Sequence, residues 1–219
     1  MKDKKCYMCD ATATTEEHVP PKAFFPDILR KKNKNFIIVP SCCEHNNSKG
    51  KDDEYVRNII CMSDNSQPPI SLNDKVKESL VRRDGSLLNR IKQKSYKEIN
   101  GENINIKTSI EMIRFGKVFS SMAYGIFYYK YGKTYCGEWK IHFPNLDWPL
   151  GLNNDIVKDD IQVLNNINKF AKFDCIFDKV PEIFKCYECF VKTRLLYKLV
   201  FYQNFVVYIY SLQDINIMK

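Results

Sequence analysis

Three histidines are all that these 219 residues contain, and no apolar leader opens the chain. Met1, Lys2, Asp3, Lys4 and Lys5 run directly into Cys6, so no secretory segment is expected. An unbroken apolar run of membrane length is missing too. The stretch 195–212 comes nearest, but Lys198, Gln203 and Asn204 fall inside it, a trio that a spanning helix rarely tolerates. There is no internal repeat. G-x-x-x-x-G-K-[ST] is absent, which excludes P-loop chemistry, and the absence of H-E-x-x-H argues against a metalloprotease. Nine cysteines are an odd number and too sparse for a disulfide scaffold. Together these absences lead us to expect a cytoplasmic chain, without membrane contact, whose cysteines are thiols or metal ligands.

What is present is ordinary globular material: 44% apolar and 27% charged residues, enough for one domain or one with a small companion. Lys and Arg number 34 against 26 Asp and Glu, a formal +8 that suggests an anionic partner. Extended pieces are expected around 6–9 and 14–18, then a basic loop over 30–34. The run 36–39 suits a strand ended by Pro40. From Asn46 the chain can turn helical, with Val56, Ile59 and Ile60 on one face and Asp52, Asp53 and Glu54 near the helix start. A linker at 64–69 precedes a basic segment, 75–97, whose pattern predicts two helices broken at Asp84 and Gly85. Asn100 and Gly101 signal a hairpin, 110–131 is the best helix candidate, and a loop containing Trp and Pro follows. Apolar runs at 173–177, 187–191, 195–202 and 205–210 read as strands covered on both faces, the last two closing at Gln203 and Asn204.

The informative pattern lies in the first fifty residues. Cys6-x-x-Cys9 and Cys42-x-x-His45 are two ligand pairs with two-residue spacers, suited to a tetrahedral zinc of three thiolates and one imidazole. Cys43 could replace Cys42, but a single spacer residue before His45 strains the geometry. Between the pairs, Glu17 directly precedes His18. In an extended strand such neighbours point to opposite faces, so they serve one centre only if the backbone bends there. On chemistry alone His18 can act as a general base near neutral pH, and Glu17 can hold a hard cation. Cys186-x-x-Cys189 has no partner pair and reads as structural. His142, beside Trp139 and Phe143, reads as a packed histidine.

In order, C-x-x-C, E-H-x-x-P and C-x-x-H-N-x-x-K resemble the zinc-bearing HNH endonucleases, whose ββα-metal fold encloses one catalytic cation. The match comprises Cys6, Cys9, Glu17, His18, Pro21, Cys42, Asn46 and Lys49, with His45 where a fourth cysteine is usual. The resemblance covers 6 to about 60. It implies His18 as the general base, Glu17 and Asn46 as protein ligands of a catalytic Mg²⁺ or Mn²⁺, and Cys6, Cys9, Cys42 and His45 as the Zn²⁺ site. The family's middle asparagine falls near Ile37, which cannot do its work; Asn35 is the available substitute.

The class expected is therefore α+β, with a ββα-metal module over 1–64 and a helical plus antiparallel-β domain over 65–219 for substrate positioning or partner contact. The function expected is hydrolysis of DNA phosphodiesters, in the settings where small HNH proteins occur, mobile elements and bacterial anti-phage defence. Lys31, Lys32, Lys34, Lys49, Arg82 and Arg83 are the candidate nucleic-acid contacts. Partners beyond DNA are a second copy or another protein. The rivals are a zinc-stapled DNA-binding module without catalysis, and a nuclease effector active only within a larger complex.

Overall fold

In the first strand pair, buried and outward residues alternate. The computed structural model describes residues 4–32, 36–47, 49–100, 103–144, 146, 169 and 171–215. Strand β1 (Thr15–Val19) pairs antiparallel with β2 (Ile37–Ser41), Glu17 opposite Val39 and His18 opposite Ile38. Glu17, Val19, Ile37 and Val39 are buried, and the residues between them face outward. Pro40, expected to end β2, lies within it. Its carbonyl accepts from the Tyr7 N–H at 2.9 Å, on the side away from β1, so the N–H that proline lacks would also point away from the ladder.

Between these strands sits α1 (Asp27–Lys32), so the loop expected over 30–34 is helical as far as Lys32; Lys34 and Asn35 lie outside the described residues. After β2 come α2 (Cys43–Asn47) and α3 (Gly50–Met62), the latter burying Tyr55, Val56, Ile59 and Ile60. Helix α4 (Asn73–Gln93) breaks where its sequence says it should: Arg83, Asp84 and Gly85 all have positive φ. A hairpin follows, β3 (Ser95–Asn100) with β4 (Asn103–Thr108).

Helix α5 (Met112–Tyr131) is the element around which the rest is arranged. Phe115, Val118, Phe119, Met122 and Ile126 are buried along it, and it packs against β1, β2 and α3 on one side and the large sheet on the other. Ile113 and Tyr129, also apolar residues of this helix at roughly helical spacing, are exposed instead. Gly132 at φ 65° ends the helix in the left-handed region, as C-terminal glycines do.

The large sheet is antiparallel in the order β5 (Trp139–His142), β9 (Phe205–Ser211), β8 (Arg194–Phe201), β7 (Phe184–Val191), β6 (Asp174–Val180). β5 occupies what was expected to be loop; four residues are too few to display a period of two. Both sheet faces bury side chains, as the apolar runs implied. Leu195, Tyr197, Leu199 and Phe201 join the core around α5, while Cys189, Leu196 and Tyr208 form a smaller cluster with Phe173. Mixed α+β architecture is thus present, and buried residues from Cys6 to Ile209 share one core. The β8–β9 turn reaches back across it: the Tyr202 hydroxyl donates to the Phe24 carbonyl at 3.0 Å, and the Gln67 N–H donates to the Tyr202 carbonyl.

Helix α5 meets β1 at Gly125, where a Cβ would sit 2.5 Å from Val19 Cγ2. Helix propensity favours alanine by about 1 kcal/mol, but overpacking against a stiff β-branched side chain costs about 1–3 kcal/mol. Gly125→Ala should therefore lower the urea midpoint. The double variant with Val19→Ala should lose less than the sum of the single losses, a coupling that a double-mutant cycle measures.

Candidate metal centre

Four donor atoms converge at one end of the β1–β2 pair. Cys6 and Cys9 lie on the tight loop that Lys5 and Thr12 close by a β-bridge, with the Cys6 N–H donating to the Ala11 carbonyl at 2.9 Å. Cys42 leaves β2 and His45 lies on the short helix α2, where the Asn46 N–H reaches the Cys42 carbonyl at 3.1 Å. That single turn aims Cys42 and His45 at one point.

The distances fit a tetrahedral ion. His45 Nδ1 lies 3.5 Å from Cys6 Sγ, 3.5 Å from Cys9 Sγ and 3.2 Å from Cys42 Sγ, and the Cys9 and Cys42 sulfurs are 4.0 Å apart. Zinc bonds of about 2.3 Å to sulfur and about 2.0 Å to nitrogen put tetrahedral corners about 3.8 Å (S···S) and about 3.5 Å (S···N) apart. All four ligand atoms lie within 4.8 Å of one another, so the set could hold a metal such as zinc. Burial raises the Cys6 thiol, but hydrogen bonds from the Met8 and Cys42 backbone and from the His45 and Cys42 side chains outweigh it and bring it down to about 7. That favours the thiolate a metal requires. Cys43 takes no part; it is exposed, its sulfur 3.2 Å from Thr14 Oγ1.

The base and the carboxylate expected at a catalytic centre do not share one face. β1 is regular through Glu17 and His18, so their side chains diverge. Glu17 is buried, its carboxylate 3.6 Å from Lys49 Nζ. His18 points to the other face, its ring centroid 5.9 Å from that of Phe36. The Asn46 amide donates to the Glu16 backbone carbonyl at 3.2 Å, docking α2 along β1. Ile37, near which the resemblance would place an asparagine, is fully buried in the core.

Lys49 corrects an expectation. It was a candidate phosphate contact, yet its ammonium turns inward and donates to Tyr7 Oη and Ser121 Oγ, both at 3.1 Å, beside Glu17. A second carboxylate, Asp53, lies one turn further along the helix, buried, and its Oδ1 has no hydrogen-bond partner among the described residues. Burial pushes Asp53 up to about 7; Lys49 opposes the shift, and Glu17 and Asp52 add to it. Sequence reading took Asp53 only for a helix-start charge. The available signal was the spacing of Lys49 and Asp53, one turn apart at a helix start, which puts them on one helical face.

Of the remaining candidates, Lys31 and Lys32 lie on α1. Arg82 pairs with Glu54 at 3.4 Å, while Arg83 is exposed at the break in α4. Much of the basic segment is tied to neighbouring acids: Lys75 to Asp27, and Arg90 and Lys94 to Glu111. Cys186 and Cys189 are buried in different clusters on opposite faces of the sheet, which suits the structural reading. His142 is buried, as a packed histidine should be. Beside the metal centre, a cleft of about 540 Å³ is lined by Met8, His45, Lys49, Lys117, Ser120 and Ser121. Among the described residues no helix is long and apolar enough to cross a membrane.

No family model, curated protein or solved structure matches this chain.

Metal analysis of the purified chain should return one zinc per molecule. Cys6→Ser or His45→Ala should release it and lower the melting temperature, while Cys43→Ser should do neither. A separate outcome concerns Asp53. Its folded pKa lies above the unfolded value of 3.8, so its contribution is present below that pH and fades as pH rises through about 7. Asp53→Asn should therefore gain stability over the wild type as pH is raised from 5 to 8, by about 3 kcal/mol at most, since only the two pH units between 5 and the folded value near 7 contribute. Paired denaturant titrations across that range read the difference.

Proposed function

We propose that this chain is an HNH-type endonuclease that hydrolyses DNA phosphodiester bonds, with His18 as general base and a structural zinc on Cys6, Cys9, Cys42 and His45. The observation that carries the reading is the four-donor cluster: it clamps the segment 6–45 so that β1, bearing His18, lies against β2 with α2 docked along it. A neutral imidazole on an outward strand face can accept the proton of the attacking water, an effect worth about 10²–10⁴-fold. The family's catalytic Mg²⁺ or Mn²⁺ is a different matter. Glu17 is engaged by Lys49 and faces away from His18, so the donor set as arranged does not fit that ion, and no step is derived through it.

That same arrangement favours a second reading, a zinc-stapled module that binds DNA without cutting it. A plasmid-nicking assay with added Mg²⁺ or Mn²⁺ separates the two. The nuclease reading expects nicking by the wild type and a loss of at least about 100-fold in His18→Ala, with zinc content and DNA affinity retained. Equal DNA binding by both proteins with no nicking by either would establish the binding module instead. Cutting that appears only when a partner protein is added would identify an effector subunit.

A further inference from the structure

Among the described residues the β3–β4 hairpin pairs only with itself, and neither edge has a strand partner. On one face Lys97 lies opposite Ile106 and Ile99 opposite Ile104; on the other, Tyr96 lies opposite Lys107. Tyr96 is 58% exposed, Ile99 68% and Ile106 74%. Large apolar side chains on both faces of a lone two-stranded ribbon are poorly placed in water, and such a ribbon is marginal without a partner. Lys97 on β3 and Lys92 in the last turn of α4 are exposed cations beside it, and Arg83 is exposed at the helix break.

The geometry points to this ribbon as a DNA-contact element that enters the major groove of a duplex, an inference that rests on the DNA-directed reading above. Two strands about 4.8 Å apart fit a groove about 12 Å wide, which admits a two-stranded ribbon. Isoleucine side chains suit the thymine methyl groups on the groove floor, and lysines beside them meet the phosphates. Docking against a second copy through the isoleucine face is disfavoured by charge, because it would bring Lys97 up to its own counterpart, whereas Lys107 lies on the other face and pairs with Glu98 at 3.6 Å.

The test uses the full chain and a fluorescently labelled duplex oligonucleotide. Ile99→Ser/Ile106→Ser should weaken binding about tenfold with little change in salt dependence. Lys92→Ala/Lys97→Ala should weaken it and reduce the slope of log K against log salt by about 2. Unchanged zinc content and unfolding midpoint confirm that these surface variants fold. If the wild type binds or nicks duplex DNA and both variants bind it equally well, the ribbon inference is overturned and the nuclease reading stands. The ribbon inference also fails if the variants only convert a dimer to a monomer, as light scattering would reveal. A wild type that neither binds nor nicks DNA removes both.

Discussion

Four side chains from two distant stretches must meet at one point, and the amino-terminal part of this fold is built to satisfy that demand. Cys6 and Cys9 come from a loop of six residues, Cys42 and His45 from the first turn after a strand, and the intervening 32 residues have to return to where they began. An antiparallel strand pair performs that return. Closing a loop of this length costs entropy that grows only slowly with length, so a cluster able to bind one ion at four corners offsets it readily. β1 then has its register fixed from both ends, and with it the side to which each of its side chains points.

That register decides what lies inside. Glu17 falls on the buried face and needs a cation there, since a lone buried carboxylate is costly. Lys49 supplies it and also joins Tyr7 from the cysteine loop to Ser121 on α5. The polar hub thus fastens the metal centre to the helix that organises the large sheet. A second polar lock lies further along α3, where the buried Arg57 guanidinium and Asn58 share Ser79 of α4. Such satisfied networks specify how helices dock more than they add net stability.

Much of this was legible in the residues. The two-residue spacers named all four donors, because the chemistry of one ion constrains sequence and geometry alike. The break at Asp84 and Gly85, the hairpin after Asn100 and the turn at Gln203 were written in turn-forming residues. Pro40 misled because a proline ends a strand only where its missing N–H is needed. β5 was too short to carry a pattern. Lys49 and Asp53 were hidden for a different reason: charged residues near a helix start are usually solvated, and their burial is decided by α5, seventy residues away in the chain. Sequence spacing could show a shared helical face but not what would cover it.

The reach of Tyr202 back to Phe24 bears on the order in which a nascent chain matures. Every donor of the metal cluster has emerged from the ribosome once residue 45 is clear, long before β8 and β9 are made. Ion capture is therefore available early, whereas Phe24, whose ring packs on that of Phe201, stays without that cover until the last strands arrive. A chain stalled before residue 195 could already close its four donors on an ion and still present an adhesive flank, the kind of surface that chaperones hold.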